Sequence, residues 1–261
     1  MPLSPNINVM LKAARKAARG LSRDFGEVEN LQVSRKGPAN FVSNADRRAE
    51  EVIYEELRKA RPDYGFLMEE SGTHTGKDTS HRWIVDPLDG TTNFLHGLPQ
   101  WCISIALERD RTIIAALVYA PMAGELFVAE RGQGATLNDK RVRVSARARM
   151  SEAVFACGMP YFGHGDCDRF IAELGRIQGE VAGLRRFGSA ALDLCWVAAG
   201  RYEGFWERGL GAWDIAAGAL IVREAGGAIT DLDGGDRWLR SGDILATNDA
   251  LHQPLLTRIK G

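Results

Sequence analysis

One short string constrains this chain more than any other: WIVDPLDGTTNF, which begins at Trp83. Its apolar start predicts a buried strand that delivers Asp86 at its end. Pro87 has no N–H to donate, so we expect ladder pairing to stop there. Asp89 and Gly90 then predict a turn, in which Gly90 lets the backbone approach an anion closely.

The spacing of these two aspartates indicates a metal site. Two carboxylates three residues apart on a turn can converge on one divalent cation, and an oxygen-rich site suits Mg²⁺. A short helix beginning at Gly90 would turn its free N–H groups toward the same point and hold a phosphate. An Asp-Gly pair alone is typical of an ordinary β-turn, whereas the whole string favours the metal site.

A similar motif with different chemistry is excluded. Phosphatases that form an aspartyl-phosphate carry Asp-x-Asp-Gly-Thr, in which the first Asp attacks the phosphate. Here Pro87 occupies that position, and the nearest carboxylate is Asp86, one residue earlier. The pattern therefore favours water as the attacking group.

Two more acidic positions complete a candidate cluster. Glu69 and Glu70 follow an apolar strand pattern that ends at Met68, and Asp214 precedes an apolar helical pattern. Adjacent acids are typical of a solvated loop, and an Asp before an apolar helix is most often its N-cap. Near a metal, Asp214 can be both cap and ligand.

Composition narrows the class of protein. The 261 residues are 45% hydrophobic, enough for one large unit or two tightly packed halves without disulfides. A net charge of -1 lacks the basic surplus of a dedicated nucleic-acid binder. The four cysteines form no CxxC pair, which disfavours a zinc or redox motif and favours a reduced, cytoplasmic setting. We see no signal peptide and no apolar run long enough to span a membrane.

Periodicity predicts the order of elements. Helices are expected over four stretches: 6–21, 43–61, 189–198 and 212–224, with a fifth over 250–259. Strands are expected over 65–68, 82–85, 102–107, 112–119, 126–129, 153–157 and 244–247, with another near Thr136. These patterns predict an α+β fold for the first half and an α/β fold for the second half. We expect domains over 1–145, carrying the metal signatures, and 146–261, carrying the substrate pocket.

Three weaker motifs have simpler interpretations. Gly132-Gln133-Gly134 indicates a hairpin turn more than a nucleotide loop. The acidic run Asp231–Asp236 resembles a calcium loop but lacks the required later acid, so a tight turn is expected. The basic run Lys140–Arg149 is interpreted as a solvated surface strand and linker.

Three strings together resemble the signatures of the inositol monophosphatase family: Glu-Glu-Ser from Glu69, Asp-Pro-Leu-Asp-Gly-Thr-Thr-Asn-Phe from Asp86, and Trp-Asp-Ile-Ala-Ala-Gly from Trp213. Their order and separation match across nearly the whole chain, and Leu184–Gly200 is similar to the SuhB-type bacterial branch. Met68 departs from the glycine that many members have there. The resemblance implies a layered αβαβα sugar-phosphatase fold, like that of fructose-1,6-bisphosphatase, and the hydrolysis of myo-inositol 1-phosphate.

The resemblance also implies roles for the metal-binding and catalytic residues. The first magnesium ion would be held by Glu69, Asp86, Thr91 and the carbonyl of Leu88. The second would be held by Asp86, Asp89 and Asp214. Glu69 and Thr91 would activate the attacking water, with Asp46 hydrogen-bonded to the threonine, and Lys36 matches a lysine near the metal loop.

Substrate contacts are implied in the same way. They would come from Asp89, Gly90, Thr91, Gly188, Ser189, Ala190, Glu207 and Asp214. Glu207 matches the residue that hydrogen-bonds a substrate hydroxyl, and Gly188–Ala190 matches the loop that lines the inositol pocket.

Charge extends this expectation to the number of ions. Two Mg²⁺ ions leave four carboxylates and a dianionic ester with excess negative charge, so we expect two firm sites and a weak third that fills with substrate. The family also implies inhibition by lithium and a homodimer.

Two alternatives remain open on the sequence. Some SuhB-type members bind the transcription machinery, so the chain could be a regulatory protein that contacts RNA polymerase or an antitermination complex and retains phosphatase residues. Alternatively, the same chemistry could serve fructose 1,6-bisphosphate, a nucleotide 3′-phosphate or histidinol phosphate. Glu207 favours inositol phosphate, because a carboxylate suits a neutral polyol better than a second phosphate.

Overall fold

The computed structural model describes residues 3–27, 33–35, 41–161 and 163–261, with the backbone alone for 33–35 and 41–43. In this part of the chain the elements stack as helix, sheet, helix, sheet and helix. The expected αβαβα arrangement is confirmed. None of the helices in the described residues is both long and apolar enough to cross a membrane.

The described residues of the first half form three helices and ten strands. In chain order they are α1 (Pro5–Phe25), β1 (Val33–Arg35), β2 (Phe41–Ser43), α2 (Asn44–Ala60), β3 (Tyr64–Met68), β4 (Gly72–His74), β5 (Asp78–Asp89), α3 (Thr91–Leu95), β6 (Cys102–Arg109), β7 (Thr112–Ala120), β8 (Glu125–Glu130), β9 (Gly134–Leu137) and β10 (Lys140–Arg141). Strands β3 to β10 form one sheet in the order β10-β9-β8-β7-β6-β5-β3-β4.

The first outer layer consists of α1 and α2. Ser4 caps α1 by accepting a hydrogen bond from the Ile7 backbone N–H at 3.2 Å, and Pro5 starts the helix at a position where it costs no bond. Buried α1 residues recur every three or four positions, so one face of the helix packs on the sheet.

The large sheet has two different apolar faces because its strands alternate. On β6, Ile103 and Ile105 contact the α1–α2 layer, whereas Cys102 and Ala106 face the opposite side. Ser104 also lies on that opposite side and donates its hydroxyl to the carbonyl of Trp213 at 3.1 Å. Small side chains on this face let the next helix layer pack closely.

As far as the second half is described, it contains five helices and five strands, preceded by a short 3-10 turn over Met150–Glu152. They are β11 (Val154–Cys157), α4 (Cys167–Ile177), β12 (Gly183–Arg185), α5 (Ala190–Ala198), β13 (Gly204–Glu207), α6 (Ala212–Glu224), β14 (Ala228–Thr230), α7 (Trp238–Ser241), β15 (Ile244–Thr247) and α8 (Asp249–Lys260).

These strands form a mixed sheet in the order β12-β11-β13-β15-β14. Strand β11 runs parallel to β12 and β13, whereas β15 pairs antiparallel with β13 and β14. Helices α5 and α6 lie between the two sheets, and α4 and α8 cover the outer face. The two sheets separate near the predicted boundary at residue 145, but a shared core joins them across α5 and α6. The division into two domains stays a prediction.

Most predicted elements are confirmed, with two corrections. Strand β5 does not stop at Asp86: it continues through Pro87 to Asp89 by way of an irregularity in register. Asp214 is not the N-cap of α6, because Gly211 holds that position and Asp214 lies three residues further on. Sequence patterns also missed α4 and β13.

The three weaker motifs follow their simpler interpretations. Gly132 lies in the turn between β8 and β9, which pair as a hairpin. Asp231 accepts hydrogen bonds from the backbone N–H groups of Asp233, Gly235 and Arg237, as expected for a tight turn. In the basic run, Lys140 and Arg141 are exposed and form β10, whereas Arg147 forms an ion pair with the buried Glu203.

Candidate active site

A β-bulge brings the two aspartates of β5 to one side of the sheet. Asp86 pairs opposite Ser104, and Asp89 pairs opposite Cys102, so three steps on β5 match two on β6. Side chains alternate along a strand, and residues three apart would normally face opposite sides. The extra residue restores a common direction, and it explains why a proline is tolerated inside the strand.

The third acid arrives from the start of α6. Asp214 lies in the first turn, and its Oδ2 accepts a hydrogen bond from the backbone N–H of Gly211 at 2.6 Å. Carboxylates near a helix N-terminus are favoured by the free N–H groups and the helix dipole. One carboxylate oxygen from each of Asp86, Asp89 and Asp214 lies within 4.8 Å of the others. We call these three residues the site acids.

Glu69, Thr91 and Asp46 surround the site acids. Glu69 follows β3, the parallel neighbour of β5, and its backbone N–H bonds to the carbonyl of Val85 at 3.2 Å. Thr91 Oγ1 lies 3.0 Å from the Leu88 carbonyl oxygen and 3.5 Å from Asp46 Oδ2. These contacts join α2, β5 and α3 beside the cluster.

Burial and mutual repulsion act on the protonation of the site acids. Burial, followed by the charges of Glu69, Asp89 and Asp214, raises the pKa of Asp86 well above its usual range. Burial and the charges of Asp89 and Glu69 do the same to the pKa of Asp214, and burial raises the pKa of Asp89. A nearby cation would act against these shifts by favouring the charged form of each group.

The donor set fits a hard divalent ion. All three site acids offer carboxylate oxygens, the ligand type that Mg²⁺, Ca²⁺ and Mn²⁺ prefer. Within the described ranges, no Arg or Lys forms an ion pair with any of them. A bound cation would supply the missing positive charge.

A cavity of about 390 Å³ opens beside the cluster. Asp214 and Glu207 line it, together with Gly158, Tyr161 and Arg208. Burial raises the pKa of Glu207 to about 8, while the charge of Arg186 opposes that rise and Asp89 adds to it. Around neutral pH Glu207 therefore carries a proton and can both donate and accept hydrogen bonds.

Gly158 makes room for Glu207. A Cβ atom on Gly158 would lie 1.7 Å from the Glu207 Cδ atom, far inside any allowed contact. Gly158 follows β11 and Glu207 ends β13, so both lie at the carboxyl ends of adjacent parallel strands. Sites in sheets of this kind often lie at that edge. The strand predicted over 153–157 could have indicated Gly158, which follows it. The sequence patterns did not predict β13, on which Glu207 lies.

The predicted substrate loop, Gly188–Ala190, lies next to Asp89, and its contact with substrate stays a prediction. Among the described residues that line the cavity, none comes from Gly188–Ala190. Ser189 is buried and donates its hydroxyl to Asp89, and Gly188 has a left-handed φ of 80°. Gly90 is left-handed as well, with φ 96°, and a Cβ there would lie 2.7 Å from the Gln100 carbonyl oxygen. Lys36 lies outside the described residues.

Comparison with known proteins gives consistent matches over the whole chain. The model of the inositol monophosphatase family matches residues 3–260. An inositol-1-monophosphatase of Mesorhizobium japonicum is 57% identical over 260 residues, covering 100% of this chain and 98% of that protein. A Nus factor SuhB of Pasteurella multocida is 42% identical, covering 99% and 97%. The crystal structure of the extragenic suppressor protein suhB from Bartonella henselae has a TM-score of 0.96 at 55% identity, covering 98% and 99%.

These matches show the class of protein: the chain is a phosphatase, an enzyme that hydrolyses phosphate esters. It belongs to the inositol monophosphatase family. The resemblance drawn from the three strings is thereby confirmed.

Proposed function

We propose that this phosphatase hydrolyses myo-inositol 1-phosphate to inositol and phosphate, with Mg²⁺ held by the acidic cluster. The observation that carries the proposal is the convergence of the three site acids within 4.8 Å beside a cavity that Glu207 lines. The relative from Mesorhizobium japonicum, named for the same activity, supports the substrate.

Six groups would hold the ions. Glu69, Asp86, Thr91 and the Leu88 carbonyl would bind the first Mg²⁺, and the site acids would bind the second. When bound, the ions supply the positive charge that a phosphate dianion needs and make a water molecule a stronger nucleophile.

The residues of the chain position that water and its proton. Thr91 Oγ1 can accept a hydrogen bond from the water while its own proton points to Asp46 Oδ2, 3.5 Å away. Glu69, the other residue expected to activate the water, lies at the end of the neighbouring strand. Asp46 itself is buried, which keeps bulk water from competing for the threonine hydroxyl.

Glu207 is proposed to recognise the alcohol part of the ester. In its protonated form it can donate to one sugar hydroxyl and accept from another. Arg208, which follows Glu207 in the chain and lines the cavity, is already paired with Glu173 at 2.9 Å. This part of the cavity therefore suits a neutral polyol better than a second phosphate.

Steady-state kinetics on a substrate panel test the proposal. The panel compares myo-inositol 1-phosphate with fructose 1,6-bisphosphate, a nucleotide 3′-phosphate and histidinol phosphate. We expect kcat/KM to be highest for the inositol ester by at least about tenfold, with activity lost on chelation, restored by Mg²⁺ and inhibited by Li⁺. A higher kcat/KM for another ester, or full activity in chelator, would contradict the proposal.

Metal titration tests the expected number of ions. Calorimetry should find two Mg²⁺ sites in the protein alone and a weaker third when phosphate is added. A single site in the presence of phosphate would rule out this arrangement.

A second candidate function is binding to the transcription machinery. The observation that favours it is the 42% identity to a protein named Nus factor SuhB. Arg185 and Arg186 are exposed and lie in the segment that resembles this branch. If Asp86→Asn abolishes turnover but a cellular phenotype of gene loss is rescued by the variant, the regulatory role stands apart from catalysis. Failure of rescue would assign the phenotype to the enzyme.

Assembly and location complete the proposal: a homodimer in the cytoplasm. All four cysteines are free, which supports a reducing compartment. Sedimentation equilibrium would measure the dimer directly, and a monomer at micromolar concentration would contradict it.

A further inference from the structure

The hydroxyl of Ser189 makes an unexpected contact. Ser189 occupies the N-cap position of α5, where a serine normally accepts a hydrogen bond from an N–H group of its own helix. Its side chain makes no such bond here. The hydroxyl instead donates to Asp89 Oδ2 at 2.5 Å, across 100 residues of sequence.

Two other donors converge on the same oxygen. The backbone N–H of Ala191 lies 2.8 Å from Asp89 Oδ2, and the Cys102 thiol lies 3.7 Å from it. Ser189 and Cys102 are both almost completely buried, so water does not compete for these bonds. One oxygen of Asp89 is thus occupied by protein donors, and the other is left for a ligand.

This arrangement gives the two oxygens of the Asp89 carboxylate different surroundings. A metal-binding carboxylate that is free to rotate loses part of its binding free energy to orientation, whereas hydrogen bonds from outer residues hold it in one pose. The donors come from α5 in the second half and from β6 in the first. The pose of Asp89 therefore depends on how the two halves pack.

We propose that Ser189 is a positioning residue: its hydroxyl fixes Asp89 so that the free oxygen faces the metal. The inference rests on the proposed function, because it assumes that Asp89 binds the ion. It gives Ser189 a different role from the substrate contact that the family resemblance implies. Thr at this position would keep the hydroxyl, whereas Ala or Gly would remove it.

The test measures the binding of Mn²⁺ alone to the metal-free full-length protein. Electron paramagnetic resonance of the free ion monitors this binding. Mn²⁺ reports the site because it shares the oxygen preference of Mg²⁺. We expect Ser189→Ala to raise the Kd of at least one Mn²⁺ by about 10- to 100-fold. Ser189→Thr should restore the Kd to within about threefold of wild type, because its hydroxyl can still donate to Asp89.

Two further variants keep the test decisive. Ser189→Gly also lacks the hydroxyl and is well tolerated at an N-cap, so it replaces the alanine variant if that one does not fold. Ser4→Ala is the matched control, because Ser4 caps α1 in the ordinary way. It should lower the melting temperature and leave Mn²⁺ binding unchanged.

Each other outcome overturns the proposal. An unchanged Kd with a raised KM for the ester would make Ser189 a substrate contact. An unchanged Kd with only a lower melting temperature would make it a structural link between the halves. If wild-type protein binds no Mn²⁺, both this inference and the proposed function fail. A change in Mn²⁺ binding that is confined to the Ser189 variants tests this inference separately from the proposed function.

Discussion

Two kinds of carboxylate in the molecule differ in whether an arginine lies next to them; among the first kind, Asp86 and Asp89 are buried and Asp214 is half-buried. The first kind comprises the site acids. The second kind includes three acids that we call the paired acids: Glu108, Glu173 and Glu203. Each paired acid meets an arginine: Arg82 bonds to Glu108, Arg208 lies 2.9 Å from Glu173, and Arg147 lies 2.8 Å from Glu203.

The site acids have no such partner among the described side chains. Burying a charge is costly unless an opposite charge and hydrogen bonds accompany it. For the paired acids, the chain supplies the opposite charge itself. For the site acids, the proposed function leaves that charge to a bound ion.

The largest expected effect separates the two kinds by activity. Asp86→Asn keeps the hydrogen bond that Asp86 Oδ1 accepts from the Leu88 N–H at 2.8 Å, but removes the negative charge. We expect kcat to fall by on the order of 10³-fold, because a charge that holds the ion is lost. The melting temperature of the metal-free protein should stay the same or rise, since repulsion with Asp89 and Asp214 is relieved. A large fall in that temperature would place Asp86 with the paired acids.

The converse variant acts on stability. Glu203→Gln breaks the ion pair with Arg147 and weakens the bond from the Val154 N–H, which lies 2.7 Å from Glu203 Oε2. Urea denaturation should show a loss of about 1–3 kcal/mol in the free energy of unfolding. Mn²⁺ binding and kcat should be unchanged under conditions where the protein is folded. Loss of metal binding in this variant would erase the distinction between the two kinds.

A smaller effect is expected for the glycine that accommodates Glu207. Gly158→Ala would place Cβ against the Glu207 carboxyl group, so Glu207 must move. We expect KM for the ester to rise by about tenfold with a smaller change in kcat, because alcohol binding is lost while the site acids stay in place. Gly175→Ala in α4 is the control, since nothing lies within 4 Å of its Cβ position. Equal kinetics in both variants would remove Glu207 from substrate binding.

The last prediction concerns the dependence of stability on pH. The pKa of Glu207 is raised from 4.5 to about 8 on folding, so within that window the folded state binds a proton that the unfolded state releases. Stability from this group is therefore present at low pH and is lost as pH rises toward 8. The metal-free wild type and the metal-free Glu207→Gln variant are compared between about pH 5.5 and about pH 8.5. Over this range the melting temperature should fall more for wild type than for the variant. Parallel profiles would contradict the raised pKa.

Local sequence determined most of the elements and the identity of the site acids. The apolar period of α1, the alternation along β6 and the string around Asp86 depend on neighbours in the chain, so they can be read without knowing the fold. The helix α4 carries the same kind of local signal, with Asp166 as N-cap and Phe170 and Ile177 on one buried face.

Only the tertiary structure decided how distant residues meet. Nothing near Ser189 indicates that its hydroxyl bonds to Asp89 and not to its own helix, and nothing near Gly158 indicates that Glu207 fills the space above it. The bulge at Pro87, which turns Asp89 to the side of Asp86, likewise depends on pairing with β6. Periodicity records contacts within an element, whereas these contacts arise from packing between elements, and that depends on the whole chain at once.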